Sequence, residues 1–541
     1  MKVLILGGYG VFGSRLAALL VRDGHDVTLA GRSKDTGDAM ARELGCKAVV
    51  LDRNGDLGPL ADHEAVVDAA GPFHTYGGED GADPYRLARA AIAAGTHYLD
   101  LSDNAAFCAG IAALDADARR AGVCAISGLS SVPAISSAAV LALAAGERPR
   151  VIDAAILPGN RAPRGLSVMQ SILSQAGQPF PVWRGGRWGR ATGWSAPARY
   201  TLPGGVTRQG WQIEVPDQSL FPAHFGAETV TFRAGLELGV MRYGLAGFAL
   251  LRRALTFPVT RPVVRAFKAA ADLLAPFGTG CGGMVVSVTT EKEVRNWRLL
   301  AEDGDGPYIP AVAARALLRR ATLPTGAGPA LSTVTLDEIE AAMSDLQVTT
   351  ERVTRPVTHL FHSVLGAAFD SLPAEIRATH ETLDTSRWSG RCTVTRGADL
   401  WARLLCGLFR FPPAQNETPV TVTKTVTRRG ETWVRRFGRD RFRSHLSARD
   451  GVLNERFGPF SFTIGLTVRD AELQYPVIAG RLGPIPLPDW LMPISVAKEH
   501  ATDGKFHFDV ALHAPLTKEL MVHYRGILAP APPGDPDNPP G

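Results

Sequence analysis

Along the first third of the chain, short apolar runs alternate with stretches of helical pattern. Residues 3–6, 27–30, 48–51, 66–69, 98–101 and 123–126 each read as a buried strand. Between several of them lie Ala/Leu/Arg-rich stretches, 15–22, 39–44, 85–94 and 111–121, each followed within two residues by a glycine. Glycine just past a helix is a stop signal because it accepts left-handed backbone. Strand, helix, glycine and strand in repetition predict right-handed crossovers and a parallel sheet.

The texture changes near residues 146–150, where a joint is expected. From there to about residue 350 the chain mixes strands and helices with Gly/Pro/Trp loops such as 183–193 and 271–283. Residues 284–292 and 296–302 alternate apolar and polar positions and read as an antiparallel pair. A second joint is expected at 351–356. Beyond it come helices over 359–372 and 398–409, then a long run of β-type alternation: 420–427, 432–437, 441–448, 453–457, 460–468, 506–512 and 520–524. Turn signals such as Arg429-Gly430 and Asp450-Gly451 separate several of these, which predicts an antiparallel sheet or barrel of about seven strands. The expected class is α/β: an N-terminal Rossmann doubly wound parallel sheet (1–146), an α+β substrate or dimerisation domain (147–352) and a C-terminal antiparallel β-rich domain (357–528). The Pro/Gly/Asp-rich residues 529–541 read as a disordered tail.

Composition changes this picture little. A net charge of +5 over 541 residues is too small to imply a nucleic-acid partner. Six separated cysteines form no C-x-x-C and no zinc spacing, so they read as buried thiols in a reducing compartment, with no metal. No apolar run reaches the ~18 residues of a membrane span, and the opening run is too short for a signal-peptide core. The expected location is cytoplasmic. The Leu/Phe/Arg segment 241–257 admits peripheral membrane contact as a second reading, against core or subunit packing in a homodimer.

Candidate chemistry begins at Gly8-Tyr9-Gly10-Val11-Phe12-Gly13, a G-x-G-x-x-G that follows the first strand and opens a helix. Gly8 suits a tight turn, Gly10 the approach of a pyrophosphate, and Gly13 close helix–strand packing. Helix-start N–H groups then receive negative charge. At the end of the second strand, where an acidic residue would select NAD, stand Arg32, Ser33 and Lys34. Two cations and a hydroxyl suit a 2′-phosphate, so NADP(H) is the expected cofactor; a solvated turn is the plain alternative. Asp52 suits the adenine amino group or an ordinary strand-end cap. Ala69, Ala70, Gly71 and Pro72 follow the fourth strand, where ligands approach the carboxyl ends of parallel strands. Proton-donor candidates near those ends are His74, Tyr76, Tyr98, Asp100, Ser102 and Asp103, none decisive; Asp103 also suits a helix cap. Tyr-x-x-x-Lys, the short-chain dehydrogenase pair, is absent. Arg435, Arg436, Arg439, Arg441 and Arg443 interleave with aromatics and read as the solvated face of amphipathic strands rather than a nucleic-acid stripe. His359 and His362 share a helix face but are too few for a metal.

These residues resemble a known family. Gly-Gly-Tyr-Gly-Val-Phe-Gly at 7–13, Asp-Ala-Ala-Gly-Pro-Phe at 68–73, His-Tyr-Leu-Asp-Leu-Ser at 97–102 and Gly-Leu-Ser-Ser-Val-Pro at 128–133 are similar to saccharopine dehydrogenase-like NADP-binding proteins. Gly-Pro-Tyr-Ile-Pro at 306–310 and Gly-Ala-Gly-Pro at 326–329 extend the likeness to about residue 350. The resemblance implies a Rossmann domain plus an α+β domain with NADP(H) between them, and reduction of an imine, carbonyl or carbon–carbon bond. Residues from about 360 to 528 resemble a separate bacterial family of unknown function, through Leu360-Phe361, Leu372-Pro373, Phe457-Gly458-Pro459 and Tyr524-Arg525-Gly526. That likeness implies a recurring fusion and no chemistry. Three functions are carried forward. The first is an NADP(H)-dependent oxidoreductase of a small or lipid-like substrate. The second is a trans-acting reductase or accessory protein of lipid biosynthesis, its β-rich domain holding an apolar ligand. The third is a non-catalytic NADP sensor.

Overall fold

The computed structural model describes residues 1–76, 83–255 and 257–535. The chain divides into two compact units, Met1–Arg355 and Pro356–Gly534.

In the first unit, six strands alternate with helices as the apolar runs predict: β1 (Lys2–Leu6), β2 (Asp26–Gly31), β3 (Lys47–Val50), β4 (Ala65–Asp68), β5 (His97–Asp100) and β6 (Cys124–Ser127). All their pairings are parallel, in the order β3-β2-β1-β4-β5-β6. That is the doubly wound order, with its switch point between β1 and β4. Helix α1 (Val11–Arg22) follows β1 and buries Gly13, Leu16, Ala17, Leu19 and Leu20, an i, i+3, i+4 stripe. Helix α2 (Lys34–Leu44) ends at Gly45, whose φ of 70° is the left-handed stop expected of it.

A seventh strand, Gly326–Pro329, pairs in parallel with β6. It comes from within the stretch expected to form the second domain, so the two expected domains share a sheet. The rest of that stretch builds a seven-stranded mixed sheet centred on strand Val151–Leu157. The expected pair is there as Gly282–Thr289 against Glu293–Ala301, antiparallel. Arg315, on the helix Ile309–Leu318, is 1% exposed and makes a two-nitrogen fork to Asp23 at the end of α1, each bond 2.8 Å. It also holds Asp345. Burial alone would raise the Asp23 carboxyl, but bonds from Arg319 and Arg315 hold it well below the usual range.

The second unit is a 13-stranded antiparallel sheet with short helices, larger than the expected seven strands. Five strands were not anticipated: Thr385–Arg396, Glu472–Gln474, Val477–Leu482, Ile485–Pro486 and Ile494–Thr502. The last has an inverted pattern, with Ile494 and Val496 exposed and Glu499 buried. The stretch 460–468 is two strands, Phe460–Ile464 and Thr467–Arg469, separated around Gly465. The helix expected over 359–372 is broken at Gly366, whose φ of 55° and ψ of −136° no helix accommodates. The final strand runs Leu520–Pro530, two residues into the expected tail; residues 536–541 lie outside the described residues. Of the arginine run, Arg436, Arg439, Arg441 and Arg443 are exposed as expected. Arg435 instead turns inward and pairs with Glu455 at 3.1 Å.

Candidate functional site

The loop from β1 to α1 is shaped by backbone proximity. Gly7 takes φ 74°, and a Cβ there would stand 2.7 Å from the Ala70 Cα. The left-handed turn thus falls on Gly7, one residue before the Gly8 expected to make it. Gly8 is needed for another reason: its Cβ would meet the Ile5 carbonyl oxygen at 2.8 Å. A Cβ on Gly13 would collide with the Gly7 carbonyl, so helix and loop approach closely, as predicted. Gly10 caps α1 without a side-chain hydrogen bond, and Val11 and Phe12 begin its first turn. The first-turn N–H groups therefore face outward with the helix dipole behind them. Since the Gly7 turn abuts Ala70, the loops after β1 and β4 meet, and Ala69, Ala70, Gly71 and Pro72 border the glycine loop.

The end of β2 is organised by Tyr9. Its ring occupies the space a Cβ on Gly31 would fill, and its hydroxyl accepts a hydrogen bond from Ser33 N at 2.8 Å. Ser33 caps α2 through its side chain. That places Arg32 and Lys34 on either side of the cap, both exposed and, among the described residues, in no ion pair. Asp52 is exposed and accepts from Asn54 N at 2.9 Å in a tight turn, which leaves its other oxygen open.

Beyond this rim lies a buried acidic pair that the sequence reading only half found. Asp68 and Asp100 are register partners at the ends of β4 and β5, and both are 0% exposed. Asp68 Oδ1 accepts from Ala70 N at 3.0 Å and from the Tyr76 hydroxyl at 3.2 Å. Asp100 Oδ1 accepts from Ser102 N, Ser127 Oγ and Gly128 N, at 2.9, 2.9 and 2.8 Å. The second oxygen of each has no hydrogen-bond partner among the described residues. Burial raises both, Asp100 to about 7, with the Asp68 charge adding to the effect. Asp217, 1% exposed beside Ser136, is likewise pushed up by burial to about 7. Asp68 opens the Asp-Ala-Ala-Gly-Pro-Phe stretch, but the stretch assigns it no role, and Asp217 lies in no motif; the register and a three-dimensional neighbour reveal what they do.

The proton-donor candidates separate by environment. Tyr98 is buried in the core between sheet and helices, and Tyr76 packs edge-on to Phe107 with its hydroxyl committed to Asp68. Burial pushes both phenols far above their ordinary range. Ser102 is buried and bonds Asn104 N, and Asn104, not Asp103, caps the following helix. His74 and Asp103 are exposed and within electrostatic range of each other. Crowding by surrounding protein raises the Asp103 carboxyl, and the His74 charge opposes that.

Residues 3–126 match the family model described as the saccharopine dehydrogenase NADP binding domain. This is an NADP(H)-binding domain. The glycine cradle, the open start of α1 and the two cations after β2, which among the described residues have no ion-pair partner, fit that cofactor. Residues 372–528, in the second unit, match a domain of unknown function, DUF4166. Among solved structures, apo saccharopine dehydrogenase (L-Glu forming) from Saccharomyces cerevisiae is similar at 16% identity over 65% of this chain and 99% of its own, with a TM-score of 0.46. BdcA from E. coli is similar at 24% identity over 23% of this chain and 80% of its own, with a TM-score of 0.18. No curated protein matches the chain.

Elsewhere in the unit that carries the NADP-binding domain, the Leu/Phe/Arg segment forms the helix Gly239–Ala254. Val240, Tyr243, Leu250 and Leu251 are exposed on it. Arg252 is not part of a polar membrane-facing stripe. It is 6% exposed and donates to the Leu173, Ser174 and Ala176 carbonyls at 2.7–2.9 Å. Those carbonyls close the helix Leu166–Gln175, where a cation is favoured by the dipole. Among the described residues, no helix is long and apolar enough to cross a membrane.

Proposed function

We propose that the protein is an NADP(H)-dependent oxidoreductase that delivers hydride to a small or lipid-like substrate. The observation that carries the reading is the NADP(H) cradle: a glycine loop with no room for side chains, a helix start with open N–H groups, and Arg32 and Lys34, which have no acidic partner among the described residues. The cofactor supplies the hydride chemistry when bound. The chain's own residues orient it. The N–H groups of α1 receive the pyrophosphate, and Arg32, Ser33 and Lys34 receive the 2′-phosphate. His74 and Asp103 are the pair best exposed to exchange a proton with a bound substrate near the strand ends. Asp68 and Asp100 hold the backbone turns there through four N–H and O–H donors besides Ser127, and they act as positioning residues.

The test is direct titration of NADPH and NADH by fluorescence or calorimetry. A charge-assisted bond to phosphate contributes about 1.5–3 kcal/mol, which is roughly 10–150-fold in affinity. Arg32→Asp is expected to weaken NADPH by that factor and to leave NADH within about threefold. Equal loss for both nucleotides would remove the 2′-phosphate assignment. Tight NADPH binding with no turnover across carbonyl and imine substrates would favour the sensor reading instead.

A further inference from the structure

The second unit holds a partly open cavity of about 170 Å³ lined by side chains from across its sheet. Protein interiors pack with few voids larger than a water molecule. A cavity of ~150 Å³ with an apolar lining stays dry and takes up a benzene-sized guest. This one is walled mainly by apolar side chains, aromatic and aliphatic in about equal number, among them Trp388, Phe437, Phe462, Phe508 and Tyr524, so left empty its walls forfeit dispersion contacts. Aromatic walls with a few convergent polar groups are the usual make-up of a small-molecule site.

The polar groups lie on the same inward face because strand side chains alternate. Lys424 follows Val420 and Val422, and Arg435 lies between Trp433 and Phe437. Their charges are already matched. Lys424, 4% exposed, donates to the Thr379 carbonyl at 2.5 Å and has Glu499 and Glu431 as its acidic neighbours. Arg435 pairs with Glu455 and donates to Ser444 Oγ at 2.8 Å. Glu499 is also held by His380 at 2.6 Å, and Glu431 by the Trp433 indole at 2.7 Å. Lys498, the third cation of the wall, is held by Glu472 at 2.8 Å. Each cation thus already has a carboxylate neighbour, so an added anion finds no free counter-charge. An added cation fares no better at the ring best placed for it. Lys424 Nζ and Arg435 Cζ already sit 4.0 and 4.8 Å from the centroid of Trp433. Among the described residues the three N–H donors of the Lys424 ammonium have one hydrogen-bond acceptor, the Thr379 carbonyl, so an uncharged oxygen is the head group the wall can still satisfy.

We infer that the second unit binds a neutral, mainly hydrocarbon molecule with a single oxygen acceptor, such as an alcohol, aldehyde or ketone, seated with its oxygen toward Lys424. A space of about 170 Å³ holds about one ring or a short alkyl segment. This inference does not rest on the nucleotide reading.

The experiment is calorimetric titration of the full chain with 1-octanol, octanoate and octylammonium, chosen as one chain with three head groups. Octanol is expected to bind at least fivefold tighter than either charged analogue. Ala497 and Ser495 line the cavity, so Ala497→Phe and Ser495→Phe should each weaken octanol at least tenfold, while Val496→Phe, on the exposed alternate position, should not. No octanol binding by the unsubstituted protein overturns the site. Tighter binding of octanoate or octylammonium overturns the neutral class. Unchanged octanol binding in folded Ala497→Phe and Ser495→Phe places the octanol elsewhere and overturns the cavity. If both variants fail to fold, the ranking of the three head groups on the unsubstituted protein still decides.

Discussion

At the scale of single residues, Asp100 is the group with the clearest thermodynamic signature. Burial raises it from 3.8 to about 7 in the folded chain. Between those values the unfolded chain has lost the proton and the folded chain keeps it. The folded state then binds more protons, so stability falls as pH rises through this window. A shift of about three pKa units corresponds to on the order of 4 kcal/mol at most. Asp68 and Asp217 are raised as well and push in the same direction. Asp100→Asn removes one such contribution while keeping an oxygen for Ser127 and Gly128. Its melting temperature relative to the unsubstituted protein is therefore expected to climb between pH 4 and pH 8; a flat difference would contradict it. The glycine loop, Arg32 and Lys34 were legible from sequence because each depends on local backbone and charge. The acidic pair was not, because Asp68 acquires its meaning only when β4 and β5 align it with Asp100.

At the scale of elements, the tie between α1 and the helix Ile309–Leu318 is the most exposed to a single change. Arg315 is almost wholly buried between Asp23 and Asp345. Replacing one member of a buried ion pair leaves the other desolvated and uncompensated, at a cost of about 3–5 kcal/mol. Arg315→Ala is expected to lower stability by that amount in chemical unfolding of the first unit, and to do so more than Arg319→Ala, whose partner is the same Asp23 but whose side chain is 35% exposed. Equal effects would refute a role for burial. Elements were legible where hydrophobic period and punctuation agreed, as in all six strands from β1 to β6. They were illegible where the two diverged. In Ile494–Thr502 the apolar side chains face outward and a carboxylate faces in, so alternation signals the wrong face. In the helix expected over 359–372 the period continues through Gly366 while the backbone does not.

At the scale of the whole molecule, the sheet that carries the nucleotide site is larger than its local sequence. Repeated strand–helix units account for six strands, but the seventh, Gly326–Pro329, carries two glycines and a proline and has no strand signature of its own. A fragment ending at residue 146 would leave the β6 edge unpaired, with its N–H and C=O groups open to another chain. Such a fragment is expected to self-associate in light scattering where residues 1–355 do not; a monodisperse, cooperatively melting fragment would count against it.

The same seventh strand has a consequence in time. Its partner strand β6 ends at Ser127 and it begins at Gly326, so about 200 residues must be made between the two halves of one pairing. At a synthesis rate of roughly 5–20 residues per second, that is a wait of about 10–40 s. For that interval the nascent nucleotide-binding sheet carries an open flank, and whatever shields it on the ribosome helps decide how much of the protein reaches its native state.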